Sequence, residues 1–284
     1  MFESIRVPSS YVLDYYSPLK KEAIGVISIP HSGEEVPKEF HQYLSGDVVA
    51  YNEDVDYKVG ELIDIEMLRK LGVAIIISKI HRVAVDLNRP EETAVLFWEE
   101  NTKGVKIRTS IVDAEKKEEM LQKYHRPYYS FLSSLLRELE QNNSNLSSST
   151  TPIKRVSFVD LHSMPSHPTE YHLKLNPNQK MNRADFCISD LKGVTCVEEY
   201  INFIYEKLRN LSYKPVINDP YFGGNITKYF GYAGVGNFNT NTIQIEINRS
   251  IYMNEDKKTL NHGYANNLKN NLSNSLSELF TQFQ

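Results

Sequence analysis

Four apolar segments of this sequence end in side chains able to do chemistry: His31 in "AIGVISIPHSG"; Arg82, Asp86, Asn88 and Arg89 in "HRVAVDLNRP"; Asp160, His162 and Ser163 in "VSFVDLHSM"; and Glu246 and Arg249 in "TIQIEINRS". Two imidazoles and a carboxylate around one open position form the ligand set of a catalytic zinc ion. Three protein ligands leave the fourth site to a water, whose pKa falls to about 7. His31 and His162 are the first two candidates. For the third, Glu34 completes a His-x-x-Glu spacing with His31, and Asp56 opens a helix-like stretch where the helix dipole also favours a carboxylate. Asp160, two residues before His162 on the same strand face, can orient an imidazole or cap the turn at the strand end.

Glu246 sits between Ile245 and Ile247, on the same face as Gln244 and Asn248. A carboxylate buried there must be paired or protonated, and a raised pKa near an activated water is the setting of a general base. Arg82, Arg89 and Arg249 offer planar forks that match a substrate carboxylate, ion pairing within the protein being the alternative. Tyr221, in the aromatic, glycine-rich run "NDPYFGGNITKYFG", belongs to an active-site flap or to a plain hairpin turn. Ser163 is not a nucleophile: it points away from its neighbour His162, and no Gly-x-Ser-x-Gly elbow surrounds it.

The elements that must position these groups are legible as alternating periods. Apolar runs of strand length end at Ile29, at "VAIIISK", at "VSFVDLHSM" and at "TIQIEINRS", with shorter strands expected in "RVAVDLNRPEE", "DFCIS" and "YKPVIND". Helical spacing runs from about 56 to 71, from 113 to 141 with a break at Pro127, along Ile201, Ile204, Leu208 and Leu211, and along Leu268, Leu272, Leu276 and Leu279. Strands alternating with helices predict one α/β domain over 1–284, with a mostly parallel mixed sheet covered by helices on both faces. In such sheets ligands bind beyond the carboxyl ends of the strands, where the polar groups above fall. The polar tract "QNNSNLSSSTTP" reads as a mobile surface loop within that domain.

The 284 residues carry a formal net charge of −4, with no long run of Lys or Arg, which argues against nucleic acid as a partner. Cys187 and Cys196 are too few for a disulfide framework. No signal peptide or membrane span is evident, so a cytoplasmic protein acting on a small molecule is expected.

Taken in order, "IPHSG", "DVDYKVGEL", "HRVAVDLNRP", "VDLHSMPS", "NDPYFGGNITKYFG" and "QIEINRSIYM" resemble the N-formylglutamate amidohydrolase family of zinc hydrolases, over about residues 25 to 256. "VDLNR" and "VDLHS" are more distantly similar to zinc carboxypeptidases. The resemblance implies a zinc-carboxypeptidase-like (phosphorylase/hydrolase-like) architecture and a Zn2+ held by His31, Asp56 and His162, with Glu34 the alternative to Asp56. It implies Glu246 as base, Arg82 polarising the scissile carbonyl, and Asn88 and Arg89 on the substrate carboxylate. It also implies hydrolysis of the N-acyl amide of an amino acid such as N-formyl-glutamate. A carboxypeptidase or cell-wall peptide hydrolase, and an idle ligand-binding relative, are the alternatives. Two departures bear on the substrate: Tyr129 in "YHRPYY" stands where relatives often have His, and "SDLKG" replaces a Gly-Asp-Arg-x-Gly pattern.

Overall fold

Residues 8, 12–20, 22–146 and 154–284 are described by the computed structural model. Seven strands, β1 (Leu13–Tyr16), β2 (Gly25–Ile29), β3 (Val73–Ser78), β4 (Val156–Met164), β5 (Phe186–Ser189), β6 (Pro215–Ile217) and β7 (Thr240–Asn248), form one sheet in the order β1-β3-β2-β4-β7-β5-β6. The pairs β2/β3, β2/β4, β4/β7 and β5/β6 are parallel; β1/β3 and β5/β7 are antiparallel. This is the mostly parallel mixed sheet that the alternation of periods predicts.

The central strands β2, β4 and β7 are buried along their whole length, as expected when both faces are covered. Ile243, Ile245 and Ile247 of β7 point to the face packed by the helices Glu198–Asn210 and His262–Gln282, whose Ile201, Ile204, Leu208, Leu268, Leu272, Leu276 and Leu279 belong to the same core. Leu211, expected on that stripe, falls just past the helix end and is exposed. On the opposite face, Phe158 of β4 packs in a second core with Leu132, Leu135 and Leu136 of the helix Arg126–Leu146. Asp160 and His162 share the face of Phe158, further along the strand. The same face is therefore apolar where that helix covers it and polar beyond.

Three local readings change. The stretch 56–71 is a 3-10 turn, Val59–Leu62, followed by a helix, Ile65–Leu71. Lys58 takes a positive φ of 58°, and Asp64 starts the helix by accepting from Met67 N at 3.0 Å. The stretch 113–146 divides into Ala114–Met120, a π-wound turn Leu121–His125, and Arg126–Leu146, so Pro127 falls in a first helical turn where its missing N–H costs little. "RVAVDLN" is not a strand. It is a run of turns with a single bridge, Val85 to Val95, in which Asp86 accepts from Asn88 N at 3.1 Å. Its apolar alternation reflects burial of Val83, Val85 and Leu87, not a ladder.

The polar tract lies partly in the helix Arg126–Leu146; residues 147–153 lie outside the described residues. Cys187 and Cys196 are free and buried. Among the described residues no helix is long and apolar enough to cross a membrane.

Candidate metal centre and active site

A cleft of about 610 Å³ opens beyond the carboxyl ends of β2, β4 and β7, within the size range of small-molecule sites. Its lining includes His31, Asp56, Arg82, Asn88, Arg89, His162, Tyr221, Glu246 and Arg249, so these nine candidates meet in one place. Glu34 does not join them: its half-exposed side chain lies 3.9 Å from Lys58.

His31, Asp56 and His162 each offer a ligand atom within 4.8 Å of the others, and all three are buried. His162 Nδ1 is 3.0 Å from Asp56 Oδ2, and His31 Nδ1 is 3.7 Å from the same oxygen. The far nitrogens are held by carboxylates: His31 Nε2 lies 2.7 Å from Asp86 Oδ1, and His162 Nε2 lies 2.9 Å from Asp160 Oδ2. A carboxylate on Nε2 takes the ring proton and leaves Nδ1 as a lone-pair donor toward the cluster. His31 Nδ1 is buried with no hydrogen-bond partner. An imidazole lone pair orphaned among a carboxylate and a second imidazole is what a divalent cation would satisfy, and the donor set fits zinc.

The electrostatics agree with a site built for positive charge. Burial works against charging His162, yet Asp160, Asp56 and Glu246 around it raise its pKa well above the ordinary value. Burial likewise opposes ionisation of Asp56, but the hydrogen bond and charge of His162 overcome it and hold the carboxyl below the usual range. Burial and then Arg82 depress His31.

Glu246 lies directly opposite His162 in the β4/β7 register and accepts from Gln244 Nε2 at 2.8 Å. Burial, reinforced by Asp56 and opposed by His162, pushes its carboxyl up to about 7. Arg82 Nη2 donates to Asp86 Oδ2 at 2.8 Å, and Nη1 to Asp54 O at 3.2 Å. Arg249 donates to Ser163 Oγ at 3.1 Å, Glu53 O at 3.0 Å and Asp56 Oδ1 at 3.4 Å. Ser163, which also donates to Asp56 Oδ1 at 3.3 Å, ties Arg249 to Asp56. Arg89 differs: its guanidinium lies 3.4 Å from the Phe97 ring centroid and 5.0 Å from that of Trp98, and its Nε, 3.5 Å from Asp86 Oδ2, makes no hydrogen bond.

Asn88 holds the loop that follows β6. Its Oδ1 accepts from Ile226 N at 2.9 Å, and a Cβ on Gly224 would come within 2.0 Å of its Nδ2, so only glycine lets this backbone approach. The glycine-rich run is an extended loop leading into a short helix, Asn225–Phe230, rather than a hairpin turn. Tyr129 lies behind the cleft. It stacks between His125 and Phe230, donates to Leu87 O at 2.8 Å and accepts from Asn225 Nδ2 at 2.7 Å.

Two roles escape sequence reasoning. Asp86, singled out only as a polar residue of its segment, binds His31 from a turn 55 positions away, with Arg82, Arg89 and Trp98 around its other oxygen, and no local pattern marks that pairing. His172 is held at Nδ1 by Thr169, whose N–H donates at 3.2 Å and whose Oγ1 lies at 2.8 Å, while its Nε2 reaches Tyr221 Oη at 3.2 Å. The Thr-x-x-His spacing at the start of the helix Glu170–Leu175 is the only trace of this in the sequence.

A parallel α/β sheet with a buried His-Asp-His cluster and a buried carboxyl at its strand ends defines an α/β enzyme with a candidate metal centre. The family model for N-formylglutamate amidohydrolase matches residues 25–253, and the chain belongs to that family of amide-bond hydrolases. It is 24% identical over 247 residues to an N-formylglutamate deformylase of Pseudomonas putida, with 81% of this chain and 82% of that one covered. In fold it is similar to the crystal structure of an N-formylglutamate amidohydrolase from Ralstonia eutropha JMP134, with a TM-score of 0.80, 22% identity and coverage of 96% of this chain and 98% of that one. A gene product of Agrobacterium tumefaciens gives a TM-score of 0.64 at 15% identity, covering 96% of this chain and 99% of its own.

Proposed function

We propose that this amidohydrolase is zinc-dependent and cleaves the N-formyl, or another short N-acyl, amide bond of an amino acid. The observation that carries the reading is the convergence of His31 Nδ1, His162 Nδ1 and Asp56 Oδ2, with the far nitrogen of each imidazole on its own carboxylate. Zinc, when bound, supplies Lewis acidity and a water acidified to near neutrality. Glu246, facing His162 across β4 and β7, takes a proton from the attacking water and returns it to the leaving amine. Arg82, anchored to Asp86, presents its guanidinium to the acyl oxygen and stabilises the charge that develops there. Arg89, steered by the Phe97 and Trp98 rings, holds the substrate carboxylate together with Asn88. Arg249 and Ser163 fix Asp56 as a ligand, and Tyr221 closes the side of the cleft.

Zinc titration of chelator-treated protein and formate release from a panel of N-formyl amino acids, with short peptides alongside, test this reading. One equivalent of tightly held zinc and formate release are expected. Failure to take up zinc, or cleavage confined to peptides, would remove the assignment.

A further inference from the structure

The carboxylates at the floor of this cleft lie deep, and its mouth carries apolar side chains beside the exposed Lys228. Asp56 and Asp86 are each 1% exposed, whereas Leu175 is 69% and Phe222 45% exposed, and all four line the cleft. Leu175 and Phe222 belong to one wall. Leu191 N donates to Phe222 O at 2.7 Å, and Leu191 Cδ2 packs 3.3 Å from where a Cβ on Gly223 would stand. Tyr221, next to Phe222, reaches His172 on the helix that carries Leu175. Pro220 completes this side.

The lining cations are differently engaged. Arg82 and Arg249 hold Asp86 and Asp56. Arg89 also lies 3.5 Å from Asp86 through Nε, without a hydrogen bond there, and its guanidinium is held against the Phe97 ring at the cleft lining. Lys192 faces outward, with its ammonium 4.1 Å from the Phe222 centroid, and Lys228 is an exposed rim residue.

One preorganised guanidinium recognises one carboxylate, which every N-acyl amino acid has. A second carboxylate laid against Leu191 and Phe222 would lose hydration with only exposed lysine ammonium groups near it, Lys192 at 4.1 Å from the Phe222 centroid, while an apolar side chain there would be removed from water. Resting on the amidohydrolase reading, we propose that the preferred substrates are N-acyl amino acids with apolar side chains, of the leucine, methionine or phenylalanine kind. The side chain lies against Leu191 and Phe222 and the carboxylate lies on Arg89.

The test is kcat/KM of the zinc-loaded full chain on N-formyl-leucine, N-formyl-phenylalanine and N-formyl-glutamate. Burying one such side chain corresponds to a preference of about 10- to 100-fold for the first two. Leu191→Arg, and independently Phe222→Lys, should shift that ratio toward N-formyl-glutamate by about tenfold or more, with thermal unfolding showing that each variant folds. Wild-type preference for N-formyl-glutamate, abolished by Lys228→Ala or not, overturns the inference and leaves the amidohydrolase reading standing. Turnover of no N-formyl amino acid by zinc-loaded protein overturns both.

Discussion

Nε2 of His31 lies 2.7 Å from Oδ1 of Asp86, and the Nδ1 of the same ring is left without a partner, facing Asp56. The pairing selects both the tautomer and the orientation of the imidazole, so in the proposed zinc centre Asp86 governs metal affinity without touching the metal. Asp86→Asn should weaken zinc binding about 10- to 100-fold, measured by competition with a chromophoric chelator. Retention of wild-type affinity would show that His31 needs no such partner. Asp86→Ala also strands Arg82 and should cost about 3–5 kcal/mol of stability.

Removing the carboxylate at position 246 separates binding from chemistry. Glu246→Gln is nearly isosteric and leaves the three ligand residues in place, so zinc stoichiometry should stay near one while kcat falls about 10²- to 10⁴-fold. A variant with near-normal turnover would place the base elsewhere.

The pH dependence follows from the same residue. Burial raises folded Glu246 to about 7 from an ordinary value of 4.5, so the metal-free native state holds this proton more tightly than the unfolded chain does. Its contribution to stability is full below about 4.5 and is lost as pH rises through about 7. The melting temperature of chelator-treated protein should carry a component that falls over this window and is absent in Glu246→Gln. On the proposed mechanism the Glu246 carboxylate is the active form and a bound cation favours it, so the acid limb of the rate profile of zinc-loaded protein should lie below about 7.

Gly224→Ala tests the seating of the loop on Asn88. The added Cβ would meet the Asn88 amide at 2.0 to 2.3 Å, so either the loop or Asn88 must shift. Urea titration should show a loss of about 1–3 kcal/mol, and KM should rise more than kcat falls, because Asn88 stands beside the carboxylate-binding fork.

Tyr129→Phe keeps the ring stack and removes the hydroxyl that joins Leu87 O to Asn225. Two part-buried groups lose their partner, at about 1 kcal/mol, readable by chemical denaturation. Because Tyr129 is behind the cleft, the ratio of N-formyl-leucine to N-formyl-glutamate turnover should not move; a change in that ratio would bring Tyr129 into the substrate pocket.

The sheet was legible because its central strands are buried on both faces and so read as apolar runs, and His31, His162 and Glu246 were legible as polar residues interrupting or ending such runs. Asp56 was not separable from Glu34 by spacing alone, since both sit in irregular backbone; its place depends on Asp56 N bonding to His31 O at 3.0 Å, a contact across 25 positions. "RVAVDLN" misled because Val83, Val85 and Leu87 alternate in sequence as in a strand although the whole run from Val83 to Leu87 is buried, and what decides for the turn is the side chain of Asp86 bonding its own backbone two residues on. "SDLKG" brings Leu191 to the lining of the cleft; the change at Tyr129, expected to bear on the substrate, lies behind the cleft, and its partners, a carbonyl and an amide far away in sequence, left no local trace.

The turn that starts the helix Glu170–Leu175 has an effect inside the cleft. The Thr169 N–H can only donate, so His172 Nδ1 must accept and the ring carries its single proton on Nε2. Burial, with Arg183 and Arg249 nearby, brings His172 down to about 4, so this neutral form prevails at neutral pH. Nε2–H therefore donates to Tyr221 Oη, and the phenolic hydrogen is turned away from the imidazole. A helix cap thus acts as a compass for one proton: it fixes Tyr221 as a donor to whatever lies beside it, a polarity that nitrogen-15 shifts of His172 would read directly.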